Sequence, residues 1–398
     1  MQTFKPFYIA RLPRILFGRG RLNEAPALIA GYGRKALLVT GKQSFCGTPG
    51  WQGFIDALAG QGVAWQHCTV SGEPSPQLID DTVSRFRDQN IDVVVAIGGG
   101  SVLDAAKAIA GLLPSGDSVM DYLEGVGRNK TYRGPSTPVI AVPTTAGTGS
   151  EATKNAVLSV QGPEGFKKSF RDECLVPEYA ILDPDLLATC SPALIAADGM
   201  DALTQLLESY VSAKANPFTD ALAWSGMQAV KSGFFAAWHG VEPDAGEGRA
   251  AMAYAALLSG ITLAQVGLGS VHGLASPLGA FFPIPHGVVC GTLVAAATEV
   301  NIRALQAREP ANPALLKYAQ VGRLLTGDDA LDDQQACDAL IALLADWSDS
   351  LQLDRLGAYG IAEADFPLIV ANARGSSMQT NPIVLTDEEI GEILARRI

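Results

Sequence analysis

Short apolar runs alternate with amphipathic stretches over residues 1 to about 185. The runs Ala36–Thr40, Ala64–Val70, Val93–Ile97, Val139–Val142 and Tyr179–Leu182 predict strands. Val93–Ile97 reads VVVAI with no polar interruption, the pattern of a central parallel strand covered on both faces. Ser75-Pro76 opens a helix that runs to about Gln89, with Ser as N-cap and Pro at the first helical position. A second helix follows Gly100 and runs to about Leu112. Strand–helix alternation of this kind predicts a parallel sheet with helices on both faces.

The pattern turns almost wholly helical from Ser191-Pro192, again an N-cap and N1 pair. Helices are expected at Pro192–Ala213, Pro217–Trp238, Gly248–Val266, Gly287–Arg303, Pro313–Leu325, Asp333–Leu351, Glu363–Asn372 and Asp387–Arg396. The change places a domain boundary near Asp183-Pro184-Asp185, giving an α/β domain at 1–184 and a helical domain at 185–398. No fixed-period repeat or low-complexity tract interrupts either half.

Composition narrows the class. Of 398 residues 48% are hydrophobic and 18% charged, which supplies a large core and excludes a disordered chain. Lys and Arg number 29 against 41 Asp and Glu, a net charge of −12, so a nucleic-acid or anionic-membrane partner is not expected. Cys46, Cys68, Cys174, Cys190, Cys290 and Cys337 are scattered without a CxxC pair, which fits reduced thiols in a cytoplasmic protein. Lys5, Arg11 and Arg14 break the N-terminal apolar runs, so no signal-peptide core is expected. Ala250–Thr298 carries no Asp, Glu, Lys or Arg. Its polar residues and prolines favour a buried helical core with a site over a membrane span.

Three clusters could carry chemistry. Gly98-Gly99-Gly100-Ser101 lies between the VVVAI strand and a helix. Glycines there admit a close ligand, and the free N–H groups of the helix start suit a phosphate; a plain tight turn is the alternative. Asp104, in the first helical turn, is a further cofactor-site candidate or simply favours the helix dipole. Pro143–Glu151 (PTTAGTGSE) follows another strand and is either a cofactor-lining segment or a polar loop with a helix cap. The third set is Asp201 and Gln205, four apart on one helix face, with His272 and His286. The prolines between the two histidines forbid one continuous helix, so the imidazoles can converge from different elements. Together with the Gln amide oxygen these residues could hold Fe(II) or Zn(II), or the histidines could be buried structural ones.

These segments, with RILFGRGRLNEAP, GGGSVLDAAKAIA, AILDPDL, GMDALTQLLESYVSAKANPFTDALA and NPIVLTDEEIGEIL, resemble the iron-containing (group III) alcohol dehydrogenase family along most of the chain. The resemblance implies a dehydroquinate-synthase-like fold: an α/β dinucleotide-binding domain, an all-α domain, and the site in the cleft between. It implies NAD(P)-dependent interconversion of a small alcohol and a carbonyl compound. By resemblance, Gly99, Gly100 and Ser101 hold the pyrophosphate, and Thr144, Thr145, Thr153, Lys168 and Leu186 match cofactor positions. It also implies a metal on Asp201, Gln205, His272 and His286, and a homodimer in which the strand Ile15–Phe17 pairs across a two-fold.

Cofactor choice follows from the end of the first strand, ALLVTGKQS. Many NAD-using relatives carry an acidic residue there, which would bond the ribose 2′-OH and repel a 2′-phosphate. This chain has Gly41 followed by Lys42, so NADP is expected, with NAD possible. Two residues depart from the family pattern. Gln205 stands where the resemblance implies a third His, a weaker donor to the metal. Ser276 stands where HGLAH would place a second His, leaving His272, His286 and Ser276 as catalytic candidates. If Gln205 weakens the site too far, a metal-independent reductase of the maleylacetate reductase type is the alternative, with the histidines as acids; a catalytically silent cofactor-binding paralogue is another. A lyase resembling dehydroquinate synthase fits the segments less well. The substrate pocket is expected near Phe281, Phe282 and Asn372–Thr380, with Arg374 the one candidate anion partner.

Overall fold

In the computed structural model, which describes residues 6–398, eight strands form: β1 (Arg14–Phe17), β2 (Lys35–Gly41), β3 (Ala64–Val70), β4 (Val93–Gly98), β5 (Val139–Pro143), β6 (Asn155–Val160), β7 (Phe166–Arg171) and β8 (Tyr179–Leu182). Lys5 lies outside the described residues. Six strands pair in parallel in the order β1-β8-β5-β4-β2-β3. Every residue of β4 is buried, as its unbroken apolar run predicts. The two-residue period of the strand splits the core: Val94 and Ala96 face one side of the sheet with Leu37 and Val39, while Val93, Val95 and Ile97 face the other with Ala36 and Leu38.

The sheet's helices are α1 (Ala25–Ala30), α2 (Pro49–Gly60), α3 (Pro76–Phe86) and α4 (Gly100–Leu112). The Ser75 hydroxyl caps α3, accepting from the Leu78 N–H at 3.2 Å. The β6–β7 antiparallel hairpin departs from the expected strand–helix alternation. The β7 run FKKSFR reads as polar because three of its six residues are basic. It forms a strand because Phe170 packs beneath α4, where a Cβ on Gly111 would lie 3.1 Å from the Phe170 ring.

The rest of the chain folds as α5 (Pro192–Val211), α6 (Pro217–His239), α7 (Asp244–Val266), α8 (Ser270–Phe281), α9 (His286–Arg308), α10 (Pro313–Thr326), α11 (Asp333–Ser350), α12 (Phe366–Asn372) and α13 (Asp387–Ala395). The expected helix from Gly248 starts four residues earlier, at Asp244, and the one ending at Arg303 continues to Arg308. The segment Glu363–Asn372 is a 3-10 turn followed by α12. Pro277 sits inside α8, so the break between the two histidines falls at Phe282–Pro285 instead, where Pro283 and Pro285 stop the chain from continuing as helix. Helices α7 and α9 are long and apolar enough to cross a membrane by composition, yet their most apolar windows are 61% and 83% buried within the protein. They pack in the large apolar cluster of the helical half.

One contact fixes the loop after β5 against the helical half. Gly149 has φ 61°, and its carbonyl oxygen lies 2.1 Å from where a Cβ on Gly260 of α7 would stand. Both positions require glycine. Gly260→Ala should lower stability by about 3 kcal/mol or more, read as a lower thermal midpoint; an unchanged midpoint would mean that the two backbones can separate freely.

Candidate active site

Helix α5 carries Asp201, Gln205 and Glu208 at spacings of four and three, which aligns them on one face. Helix α8 brings His272, and α9 begins at His286, with Cys290 one turn further on. The donor atoms of Asp201, His272, His286 and Cys290 all lie within 4.8 Å of one another. His272 Nε2 is 3.2 Å from Asp201 Oδ1, and His286 Nε2 is 3.8 Å from the same oxygen. Burial alone would raise the Asp201 carboxyl, but the neighbouring imidazoles, above all His272, itself held well above the ordinary imidazole value and hydrogen-bonded to it, outweigh burial and hold the pKa well below the usual carboxylate range. Burial lowers His286 to a pKa of about 4, which leaves a neutral imidazole with a lone pair at physiological pH.

Glu208 organises His272. Its carboxylate accepts from the Gly269 N–H at 2.9 Å and the Val271 N–H at 2.7 Å, and lies 2.7 Å from His272 Nδ1. A carboxylate already receiving two N–H groups takes the Nδ1 proton as a third, and with Asp201 facing Nε2 the ring is held, against its burial, well above the ordinary imidazole pKa, so a cation at Nε2 would replace a proton. Sequence reasoning missed Glu208, although its place seven residues after Asp201 puts it on the same helix face. It also missed Cys290, four residues after His286.

The amide of Gln205, expected as the fourth metal donor, is engaged elsewhere. Its Oε1 accepts from the Ser259 hydroxyl at 2.9 Å, and its amide group hydrogen-bonds to Asp201, helping to keep that carboxyl ionised. Two α5 carboxylates thus differ in state. Asp198, next to the Asp201 charge and bonded to Thr145, is pushed by burial to a pKa of about 7.

Gln205, His272, Ser276 and His286 open into a cavity of about 610 Å³ that lies between the sheet and the helices. Gly100, Ser101, Asp104, Thr148 and Thr153 line its other side, and Lys167 and Lys168 of β7 contribute from the hairpin. Gly99 is the N-cap of α4, and no side chain caps that helix start. The N–H groups of Gly100 and Ser101 therefore face a ready anion site, which fits the pyrophosphate of a dinucleotide. The buried Thr144 hydroxyl has no partner.

Several expected cofactor residues do other work here. Asp104 lines the cavity, but its carboxylate accepts from Ser150 Oγ at 2.5 Å and Val157 N at 3.1 Å, and sits 3.0 Å from Lys107 Nζ. The fully buried Lys107, a lone cation in an apolar helix, donates also to Thr153 Oγ1 at 3.0 Å. This cluster ties α4 to the loop after β5 and to β6. Leu186 packs against the apolar core on one face of the sheet and is not among the cavity-lining residues. Gly41 ends β2, Lys42 beyond it is exposed, and neither lines the cavity.

The substrate expectations need two corrections. Arg374 donates to the Leu385 carbonyl at 3.1 Å and pairs with Asp387, so its guanidinium is committed outside the cavity. Phe281 and Phe282 end α8 outside the cavity lining, and Phe282 packs against the helical core, whereas Gly375, Ser376, Ser377 and Thr380 of the expected stretch Asn372–Thr380 do line it. Ser276 Oγ donates to the Lys167 carbonyl at 3.0 Å. Lys167 itself pairs with Glu73, a contact between residues 94 apart in the chain that no local pattern signals.

Two family models match the chain: iron-containing alcohol dehydrogenase over residues 13–184, and the C-terminal part of the Fe-containing alcohol dehydrogenase family over residues 195–398. Alcohol dehydrogenase 4 of Saccharomyces cerevisiae is 32% identical over 403 aligned residues, covering 100% of this chain and 99% of that protein. The NAD-dependent methanol dehydrogenase of Bacillus methanolicus is 31% identical, covering 96% and 97%. Among solved structures, a 1,3-propanediol oxidoreductase superposes with a TM-score of 0.88 at 29% identity, covering 99% of this chain and 100% of that one. An archaeal halo-thermophilic alcohol dehydrogenase from a Red Sea brine pool gives 0.90 at 28%, covering 100% of both. The chain belongs to the iron-containing alcohol dehydrogenase family, with its dehydroquinate-synthase-like fold, and is an NAD(P)-dependent alcohol dehydrogenase or aldehyde reductase.

Proposed function

We propose that the protein exchanges a hydride between NADP(H) and a small alcohol or aldehyde, with a divalent ion, Fe(II) or Zn(II), at Asp201, His272 and His286. The observation that carries this reading is that His272 and His286 of the donor cluster and the uncapped start of α4 open into one cavity. A divalent ion there polarises the carbonyl oxygen or acidifies the alcohol, and the nicotinamide supplies or accepts the hydride. The chain's own part is placement. Gly99, Gly100 and Ser101 hold the pyrophosphate by backbone N–H groups, with Thr144, Thr145, Thr153 and Lys168 along the cofactor. Glu208 keeps the Nδ1 proton of His272, so Nε2 stays a donor. Ser276 keeps lone pairs free to accept a hydrogen bond from a substrate hydroxyl, while its own proton stays on the Lys167 carbonyl. The two tasks divide at the 184/185 boundary, dinucleotide on one side and metal and substrate on the other.

Gly41 and Lys42 support NADP over NAD, since no carboxylate at the end of β2 repels a 2′-phosphate. A Cβ at Gly41 would meet Ser44 Oγ at 3.2 Å, a side chain that can turn away, and Val102 Cγ2 at an ordinary 4.0 Å. Gly41→Asp should therefore fold and lower kcat/KM for NADPH by about 10-fold or more, with NADH little changed. Equal loss for both cofactors would refute this assignment. A cytoplasmic homodimer also fits: the six cysteines are free, and β1 is an edge strand with Ile15 40% and Phe17 36% exposed.

The test is oxidation of NADPH by short aldehydes, and reduction of NADP by the matching alcohols, before and after chelation. Turnover that is lost with chelator and restored by metal supports the reading. Turnover indifferent to chelation would favour the metal-independent reductase, and none in either direction would sink both.

A further inference from the structure

We propose that Cys290 is the fourth protein ligand of the metal, so that the ion sits among Asp201, His272, His286 and a thiolate, and that Gln205 is not a ligand. The inference rests on the metal-dependent reading above and adds to it the ligand set and the metal it selects.

Geometry carries it. Cys290 Sγ lies 3.6 Å from His272 Nε2 and 3.8 Å from His286 Nε2. A tetrahedral Zn(II), bonded at about 2.3 Å to sulfur and about 2.05 Å to nitrogen or oxygen, sets sulfur and nitrogen about 3.6 Å apart, and nitrogen and oxygen about 3.4 Å apart. The corresponding nitrogen–oxygen distances here are 3.2 and 3.8 Å. Three of these four edges fall within about 0.2 Å of a tetrahedron around one ion, and the His286–Asp201 edge, at 3.8 Å, would close by about 0.4 Å on binding. With the Nδ1 proton shared with Glu208, His272 Nε2 and an Asp201 oxygen lie 3.2 Å apart. Two such acceptors come together around a cation or a proton.

Placement explains what the exchange achieves. Gln205 lines the cavity, whereas Cys290 is fully buried and lies outside the cavity lining. The fourth donor thus moves from the cavity face to the interior face. The ion would keep four protein donors, and a substrate oxygen would join them as a fifth from the cavity side that Gln205, His272 and His286 line. On binding, the Cys290 S–H bond breaks, a sulfur–metal bond forms, and the proton leaves to solvent. A thiolate among nitrogen and oxygen donors favours Zn(II) over Fe(II).

The experiment loads metal-free protein with Co(II), which reports its ligands by absorption. The wild type should bind one Co(II) per chain with an intense near-ultraviolet thiolate-to-cobalt charge-transfer band and visible bands of four-coordinate strength. Cys290→Ser, nearly the same size, should lose the charge-transfer band and bind Co(II) at least about 100-fold more weakly. Gln205→Ala should keep the band, with affinity changed less than about 10-fold. Stoichiometric Co(II) without the band, or undiminished affinity in Cys290→Ser, overturns the proposal while leaving a metal enzyme with another ligand set. No Co(II) bound at all overturns both this proposal and the metal-dependent reading.

Discussion

Asp201→Asn should lower kcat/KM by about 1,000-fold or more and leave the purified protein without tightly held metal. The carboxylate is 1% exposed and lies within 3.8 Å of both imidazole donors. In such a buried place a divalent ion depends on negative donors, because no water screens its charge. Removing one full charge at the ligand distance forfeits several kcal/mol of ion binding, and about 4 kcal/mol is already about 1,000-fold. The change also removes the charge that helps raise Asp198, so Asp198 should ionise more readily and partly offset any loss of stability. Metal content after dialysis, measured beside steady-state rates, separates the two effects. Retained metal with turnover within 10-fold of wild type would remove Asp201 from the ligand set.

Glu208→Ala should destabilise the fold by about 3 kcal/mol and weaken metal binding by about 10- to 100-fold. The carboxylate satisfies three donors: the N–H groups of Gly269 and Val271 and the Nδ1–H of His272. Alanine leaves all of them buried without an acceptor. The start of α8 would lose its anchor, and the His272 ring would lose the bond that sets its tautomer. Glu208→Gln should be milder for stability, since one amide oxygen can still accept, but its N–H₂ would oppose a backbone donor. Calorimetry should show a lower unfolding temperature for both variants, larger for alanine. Metal titration should show the affinity loss even where the fold is kept. An unchanged midpoint and unchanged affinity would contradict the role assigned to this residue.

Both predictions concern one face of α5, and that face shows where sequence reading works. Asp201 and Gln205 stand four apart in a segment whose N-cap and proline mark it as helix, so their shared orientation follows from the 3.6-residue turn. The same rule would put Glu208 there, yet it went unread, because a lone Glu on a helix ordinarily faces solvent. What buries it is the start of α8, whose N–H groups need an acceptor. The strands were legible because β2, β4 and β5 are covered on both sides and so read as continuous apolar runs. The β6–β7 hairpin was not, because Lys167 and Lys168 earn their place by pointing into a cavity that exists only after folding.

Local pattern alone carried the strands of the parallel sheet, the run of helices from Pro192, the glycine turn before α4 and the family. Each of these is written in local periodicity, caps and turns spanning a few residues. Only the tertiary structure decided which donors meet. Asp201 and His272 are 71 residues apart, and Gln205 and Ser259 are 54 apart. Whether an amide or a thiol stands beside the two histidines depends on how α5, α8 and α9 pack. That packing turns the Gln205 oxygen to Ser259, commits Arg374 to Asp387, and brings Cys290 Sγ within 3.6 Å of His272. These are long-range contacts between side chains whose local patterns are silent about their partners.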